Sequence, residues 1–131
     1  MTLVVDASTV IEALIGTGKR GEWALELLAS GQLAAPHLMP MEAANILRRA
    51  ALRKAIPDEI ASMAHQDLAD LTVDLFPYRL FATRVWELRQ TVTVYDGIYV
   101  ALAEALDAPL ATVDVKLRRA SGPRCKFLGP P

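Results

Sequence analysis

The sequence predicts a three-layer α/β domain with a mostly parallel central sheet flanked by helices, because strand-like and helix-like segments alternate along nearly the whole chain. Residues 2 to 5, TLVV, do not alternate apolar with polar, which is the pattern of a strand covered on both faces. The length, 131 residues, and the hydrophobic content, 53%, suffice for one sizeable core but make a second domain cramped. Residues 1–131 are therefore expected to form a single domain.

After the first strand, Val10, Ile11, Leu14 and Ile15 recur at spacings of three and four, a helical period from Ala7 to Leu14 that Gly16 and Gly18 end. A second helix is expected from Arg20 to Ala29, stopped by Gly31, and a short strand from Leu33 to Ala35, closed by Pro36. Pro40 opens a longer helical pattern from Met41 to Lys54, which Pro57 prevents from continuing. The next helix, Pro57 to Leu71, starts with Asp58 and Glu59, where the helix dipole favours negative charge. Thr72 to Phe76 reads as a strand, Arg79 to Arg89 as a helix, and Tyr95 to Leu106 as a strongly apolar helix. Pro109 precedes the strand LATV, Asp114 to Ala120 forms a helical turn or two, and Lys126 to Leu128 reads as an edge strand.

Net charge is −1, so the chain as a whole is not a basic nucleic-acid coat protein, and local charge must decide what it binds. Cys125 is the only cysteine, which excludes an internal disulfide and a cysteine-built zinc site. The N-terminus has no basic region ahead of its apolar stretch, so a soluble, cytoplasmic protein is expected. Mean hydropathy of +0.26 is high for such a chain and points to apolar surface that a partner covers.

Asp6 and Asp114 each end an apolar strand, VVD and TVD, just before a helical segment, so both should project over the same sheet edge. Asp96 stands at the start of one helix and Glu42 in the first turn of another, which can bring two more carboxylates to that edge. Helix capping explains each acid singly; it explains the set poorly. Clustered carboxylates raise one another's pKa, and a divalent cation removes that cost. With no His or Cys in the set, the oxygen donors select Mg²⁺ or Mn²⁺, whose chemistry suits phosphodiester cleavage.

The segments VVDAST, MEAANILRR, VYDGIYVALAEAL and LATVDVKL, in that order and over nearly the whole chain, resemble the four acidic motifs of the PIN domain. Order, spacing and compact length are most similar to the VapC toxins of bacterial VapBC toxin-antitoxin modules. The resemblance implies a PIN-like fold in which Asp6, Glu42, Asp96 and Asp114 are the metal-binding and catalytic carboxylates. It also implies Mg²⁺ or Mn²⁺ as cofactor and endoribonuclease activity on structured RNA such as tRNA or rRNA. A VapB-type antitoxin that restrains the activity and a homodimer complete the picture. The resemblance places Ser8 and Thr112 beside the cluster, where a hydroxyl can orient a carboxylate. Asn45, three residues after Glu42, shares its helical face and is expected to do likewise.

Lys116, Arg118 and Arg119, near the last acid, are candidates for phosphate binding, against the alternative of a solvated loop. For Arg48, Arg49, Arg53 and Lys54 a polar helix face is the favoured reading. His37 and His65 have no partner constellation, and Trp23 and Trp86 are expected in the core, Trp23 with Leu27 also being a candidate for an antitoxin groove. Two rival functions remain: a catalytically silent PIN scaffold that binds RNA or a protein, and an aspartate phosphotransferase of receiver type. The second lacks an acid next to Asp6 and gives Glu42 no role.

Overall fold

The computed structural model describes all of residues 1–131. Its centre is strand β1 (Thr2–Val5), whose Leu3, Val4 and Val5 are wholly buried. Parallel neighbours lie on both sides: β2 (Gln32–Pro36) aligns Ala34 with Val4, and β4 (Leu110–Ala111) aligns Leu110 with the same residue. Strands β3 (Asp74–Phe76) and β5 (Phe127–Leu128) complete a five-stranded sheet in the order β3-β2-β1-β4-β5, every pair parallel. The chain steps outward from β1 to β3, then crosses back to β4, so the strand order reverses between β1 and β4. Ligand sites of open α/β sheets form outside the carboxyl ends of the strands at such a reversal.

Helices α1 (Ala7–Ile15) and α2 (Gly18–Ala29) join β1 to β2, and α3 (Leu38–Leu52) and α4 (Asp58–Asp70) join β2 to β3. A 3-10 turn (Tyr78–Phe81), α5 (Ala82–Glu87) and α6 (Val94–Leu106) lead back to β4, and α7 (Val115–Arg119) precedes β5. Helix α1 packs on α2, α3 and α4, while α6 packs on α5 and on β1 and β2. Every residue of α6 from Gly97 to Ala103 is buried, as befits a helix apolar on all sides. A Cβ on Gly97 would stand 3.3 Å from Val85 Cγ1, so the glycine permits the close approach of α6 to α5.

Departures from the sequence expectation have local causes. Helix α3 starts at Leu38 rather than Met41, because Pro40 falls in the first turn, where its missing N–H has no intrahelical partner. It ends at Leu52, and Lys54 turns left-handed with φ 60°. The helix expected over 79–89 divides at Phe81, whose φ of −118° is not helical. Strand β4 keeps only two residues, since the Val113 N–H leaves the ladder for the Ser8 hydroxyl. Trp23 is half-buried, but Trp86 is 59% exposed, against the expectation of a core residue. The short α5 buries only Val85, and the Trp86 indole carries the Arg89 guanidinium 4.7 Å from its ring centre instead.

At the amino ends of the strands, Arg84 Nε and Nη2 donate to the two carboxylate oxygens of Glu104 at 2.7 and 3.1 Å. The Arg124 N–H donates to Glu104 as well, at 2.7 Å, and Arg84 reaches the Gly122 carbonyl, so this fork ties the loop before β5 to α5 and α6. Burial alone would push the Glu104 carboxyl up; the bonds from Arg84 and Arg124 outweigh it and hold the group below its ordinary value. A depressed carboxyl stabilises the fold above its unfolded pKa of 4.5, and that contribution is lost as pH falls through the lower folded value. Glu104→Gln is expected to cost roughly 1 to 3 kcal/mol at neutral pH, read by urea unfolding, because it weakens charge-assisted bonds and leaves Arg84 only the exposed Glu87 as an ionic partner. The difference from wild type should shrink on acidification.

Candidate active site

Asp6 follows β1 directly and caps α1: its Oδ1 accepts the Thr9 N–H at 2.9 Å and the Ser8 hydroxyl at 2.6 Å. Asp114 follows β4 and caps α7, its Oδ1 accepting the N–H groups of Lys116 and Leu117 at 2.9 and 3.2 Å. The capping and ligand readings of these two acids are therefore compatible. Each spends one oxygen on the helix and has a second that enters none of these bonds.

The two strand ends are stitched together across more than a hundred residues of chain. The Ser8 hydroxyl that donates to Asp6 also accepts the Val113 N–H at 3.3 Å, and the Thr9 hydroxyl donates to the Ala111 carbonyl at 3.0 Å. Thr112 accepts the Asp114 N–H at 3.0 Å, so it sets the backbone that carries this acid. Asp96 does not cap α6. The Thr93 hydroxyl takes that role, accepting the Asp96 N–H at 3.1 Å and freeing the carboxylate of capping duty in the first turn.

Glu42, expected in the first turn of its helix, lies in the second turn because α3 starts at Leu38, and it is held from the opposite side. Tyr99, 2% exposed on α6, donates its hydroxyl to Glu42 Oε1 at 2.6 Å. Burial and then Glu42 push the phenol far above its ordinary value, so it stays a donor at any working pH. The sequence reading missed Tyr99, because an aromatic inside an apolar helix reads as core. Its one signal is the spacing of three from Asp96, which puts both on one face of α6.

All four carboxylates border a single cleft of about 250 Å³, together with Ser8, Asn45, Arg49 and Tyr99. Burial raises the pKa of Asp6, which is 8% exposed, and the hydroxyls of Ser8 and Thr112 and the Thr9 N–H oppose it. Burial also raises Glu42 and Asp96. The Tyr99 bond opposes this at Glu42, where the charges of Asp96 and Asp6 add to it; at Asp96 the added charges are those of Asp114 and Asp6. The charges of Asp6, Asp96 and Asp114 are thus each felt at another acid of the same cleft. No three of them close into a compact ligand group; they ring the cleft.

The donors fit a hard divalent cation: carboxylate oxygens with like charges to neutralise, the Asn45 amide, and no thiolate or imidazole. Neither His37 nor His65 borders the cleft. Lys116, Arg118 and Arg119 do not border it either. Arg118 lies against Gly129 with its Nε buried and unbonded, an inward placement that its expected phosphate role did not foresee.

Tyr99→Phe deletes one oxygen and the bond that holds Glu42. Any reaction that depends on the aim of the Glu42 carboxylate is expected to slow about 10- to 100-fold, the usual effect of removing a group that orients a functional carboxylate. The melting temperature of the variant should stay within a few degrees of wild type, about 1 kcal/mol or less being at stake.

A parallel sheet whose strand-order reversal carries acids from both flanking strands and from two helix starts defines a class of α/β domain, and the chain belongs to that class: it is a member of the PIN-domain family, whose model matches residues 3–123. Within that family its similarity runs to the VapC proteins. It is 42% identical over 126 residues to Ribonuclease VapC1 of Mycobacterium tuberculosis, covering 95% of this chain and 94% of that one. It is 37% identical over 123 residues to Ribonuclease VapC9 of the same organism, covering 94% of each. Among solved structures it resembles VapBC2 of Rickettsia felis bound to a promoter DNA fragment, with a TM-score of 0.68, 13% identity and full coverage of both chains. It also resembles VapC20 of Mycobacterium tuberculosis, a toxin that cleaves the sarcin-ricin loop, with a TM-score of 0.66, 16% identity, and 88% and 92% coverage. At those identities the structural likeness speaks for the fold.

Proposed function

We propose that this chain is a VapC-type toxin: an endoribonuclease that hydrolyses RNA phosphodiester bonds with Mg²⁺ or Mn²⁺ held by Asp6, Glu42, Asp96 and Asp114. The observation that carries the reading is the meeting of these four acids, remote in sequence, at one cleft over the carboxyl ends of β1 and β4. When bound, the cation activates the attacking water and neutralises charge on the phosphate. The protein's own part is to keep the donors aimed. Ser8 and Thr9 fix Asp6, Tyr99 fixes Glu42, Thr93 places Asp96 through its N–H, and the first turn of α7 fixes Asp114. Asn45, at the same cleft, supplies an amide toward the carboxylates or the phosphate. Product ends of 5′-phosphate and 3′-hydroxyl follow from in-line attack of water with departure of the 3′ oxygen.

Structured RNA such as tRNA or rRNA is the proposed substrate, supported by the ribonuclease relatives and by the loop that VapC20 cleaves. Lys116 and Arg119 are exposed near Asp114 and fit phosphates flanking the cut. A VapB-type antitoxin is the proposed restraint. Leu14, Leu25, Leu28 and Leu71 border a groove of about 760 Å³ rimmed by Asp67, Asp70 and Asp74, a surface suited to an amphipathic helix with basic edges. Leu25 and Leu28 border it, while Trp23 and Leu27 do not. Exposed Met41, Leu80, Trp86 and Tyr95 support a homodimer. No helix is long and apolar enough to cross a membrane.

The receiver-type rival is disfavoured by topology, since that class orders its strands 2-1-3-4-5 and this sheet runs 3-2-1-4-5. Incubating the purified chain with end-labelled tRNA and rRNA fragments, with and without Mg²⁺ or Mn²⁺, tests the function. Metal-dependent fragments bearing 5′-phosphates support it. Intact RNA at every metal concentration refutes it in favour of a silent scaffold.

A further inference from the structure

The sequence assigns Arg49 to a polar helix face, and the structure gives it a different setting. The exposed face of α3 carries Glu42, Asn45, Ile46 and Arg49 in succession, and all four border the acidic cleft. Arg49 is the one cation among the ten residues that do so. With four carboxylates at the same cleft, the guanidinium pairs with none of them: the chain's ion pairs join Arg20 to Glu12, and Arg84 to Glu87 and Glu104. An exposed, unpaired guanidinium at the rim of an anionic site is poised for an anion that enters from solution.

We propose that Arg49 binds an RNA phosphate next to the scissile one and so positions the strand across the carboxylates, an assignment that rests on the nuclease reading above. Geometry selects the neighbouring phosphate. Arg49 lies two helical turns beyond Glu42, roughly 10 Å along the axis, so the carboxylates serve the reacting group and the guanidinium serves the backbone one step along. Arginine suits the task, since its planar fork contacts two phosphate oxygens at once and stays charged at any working pH. A phosphate contact of this kind sets register and adds affinity without reading sequence. Arg48, one residue away and exposed, does not border the cleft and serves as the control.

The test uses the full chain, one short RNA whose cut site has been mapped, and the same RNA carrying a neutral methylphosphonate at the linkage on one or the other side of the cut. Kinetics with Mg²⁺ or Mn²⁺ are read alongside equilibrium binding of the RNA by fluorescence anisotropy. Arg49→Gln should raise KM and Kd about 10-fold with kcat within about twofold, and lower the salt dependence of log Kd by about one unit of slope. Arg49→Lys should recover part of the loss, and Arg48→Gln should behave as wild type. One of the two methylphosphonate RNAs should weaken wild type by a similar factor and Arg49→Gln hardly further. Unchanged KM, Kd and salt slope in Arg49→Gln, or losses that multiply for both modified RNAs, would overturn the assignment while leaving the nuclease intact. If wild type cuts no RNA, so that no cut site can be mapped, the nuclease reading fails, and Kd and salt slope on any RNA that it binds still decide whether Arg49 contacts a phosphate. If it does not bind RNA at all, both fall.

Discussion

Asp96→Asn is expected to reduce RNA cleavage by at least about 100-fold, a loss of roughly 2.7 kcal/mol in transition-state stabilisation, while leaving the fold intact. The substitution keeps size and removes only charge. It spares the helix start, because the Thr93 hydroxyl, rather than the Asp96 carboxylate, caps α6. The carboxylate sits half-buried beside Asp6 and Asp114, so its charge is felt within the cleft rather than dissipated in solvent. Circular dichroism and melting of the variant should match wild type, while kcat/KM on a defined RNA collapses. Undiminished cleavage would remove Asp96 from the catalytic set.

The second large effect has two halves of opposite sign. Asp6→Asn should also abolish cleavage, by at least about 100-fold, yet raise the stability of the metal-free chain by roughly 1 kcal/mol, or a few degrees in melting temperature. Asparagine caps a helix as well as aspartate does, so the bond from the Thr9 N–H survives. What disappears is a charge held in a position only 8% exposed, where burial disfavours ionisation more strongly than Ser8, Thr112 and Thr9 favour it. Stability surrendered at such a position marks a site shaped for function. A metal-free Asp6→Asn chain that melts below wild type would show that the hydrogen bonds to the carboxylate stabilise the fold by more than its buried charge costs.

The parallel sheet could be read from residues such as Leu3, Val4 and Val5, because a strand covered on both faces has no polar alternation to disguise it. The meeting of the four acids at one cleft could be read because the arrangement at Asp6 recurs at Asp114, although each of these two also caps a helix. Tyr99 and Trp86 mark where this reasoning stops. Both are aromatics in apolar helical stretches, and one-dimensional periodicity cannot tell the face of α6 that meets Glu42 from the face of α5 that meets solvent. Arg49 was hidden for a related reason. A run of arginines looks like a solvated face until a second helix start, here that of α6, is known to stand across from it. Thr93 shows the converse: an acid in a first helical turn looks like a cap until a threonine three residues earlier is seen to hold that place.

Asp6, Glu42, Asp96 and Asp114 are expected to form one cation site. Calorimetric titration of Mn²⁺ into the wild-type chain and into Asp6→Asn, Asp96→Asn and Asp114→Asn, without RNA, tests this directly. The expected result is that each single substitution weakens the same binding event by about 10-fold or more. Wild-type affinity and stoichiometry in any one of the three variants, or no Mn²⁺ binding by the wild-type chain, would contradict it.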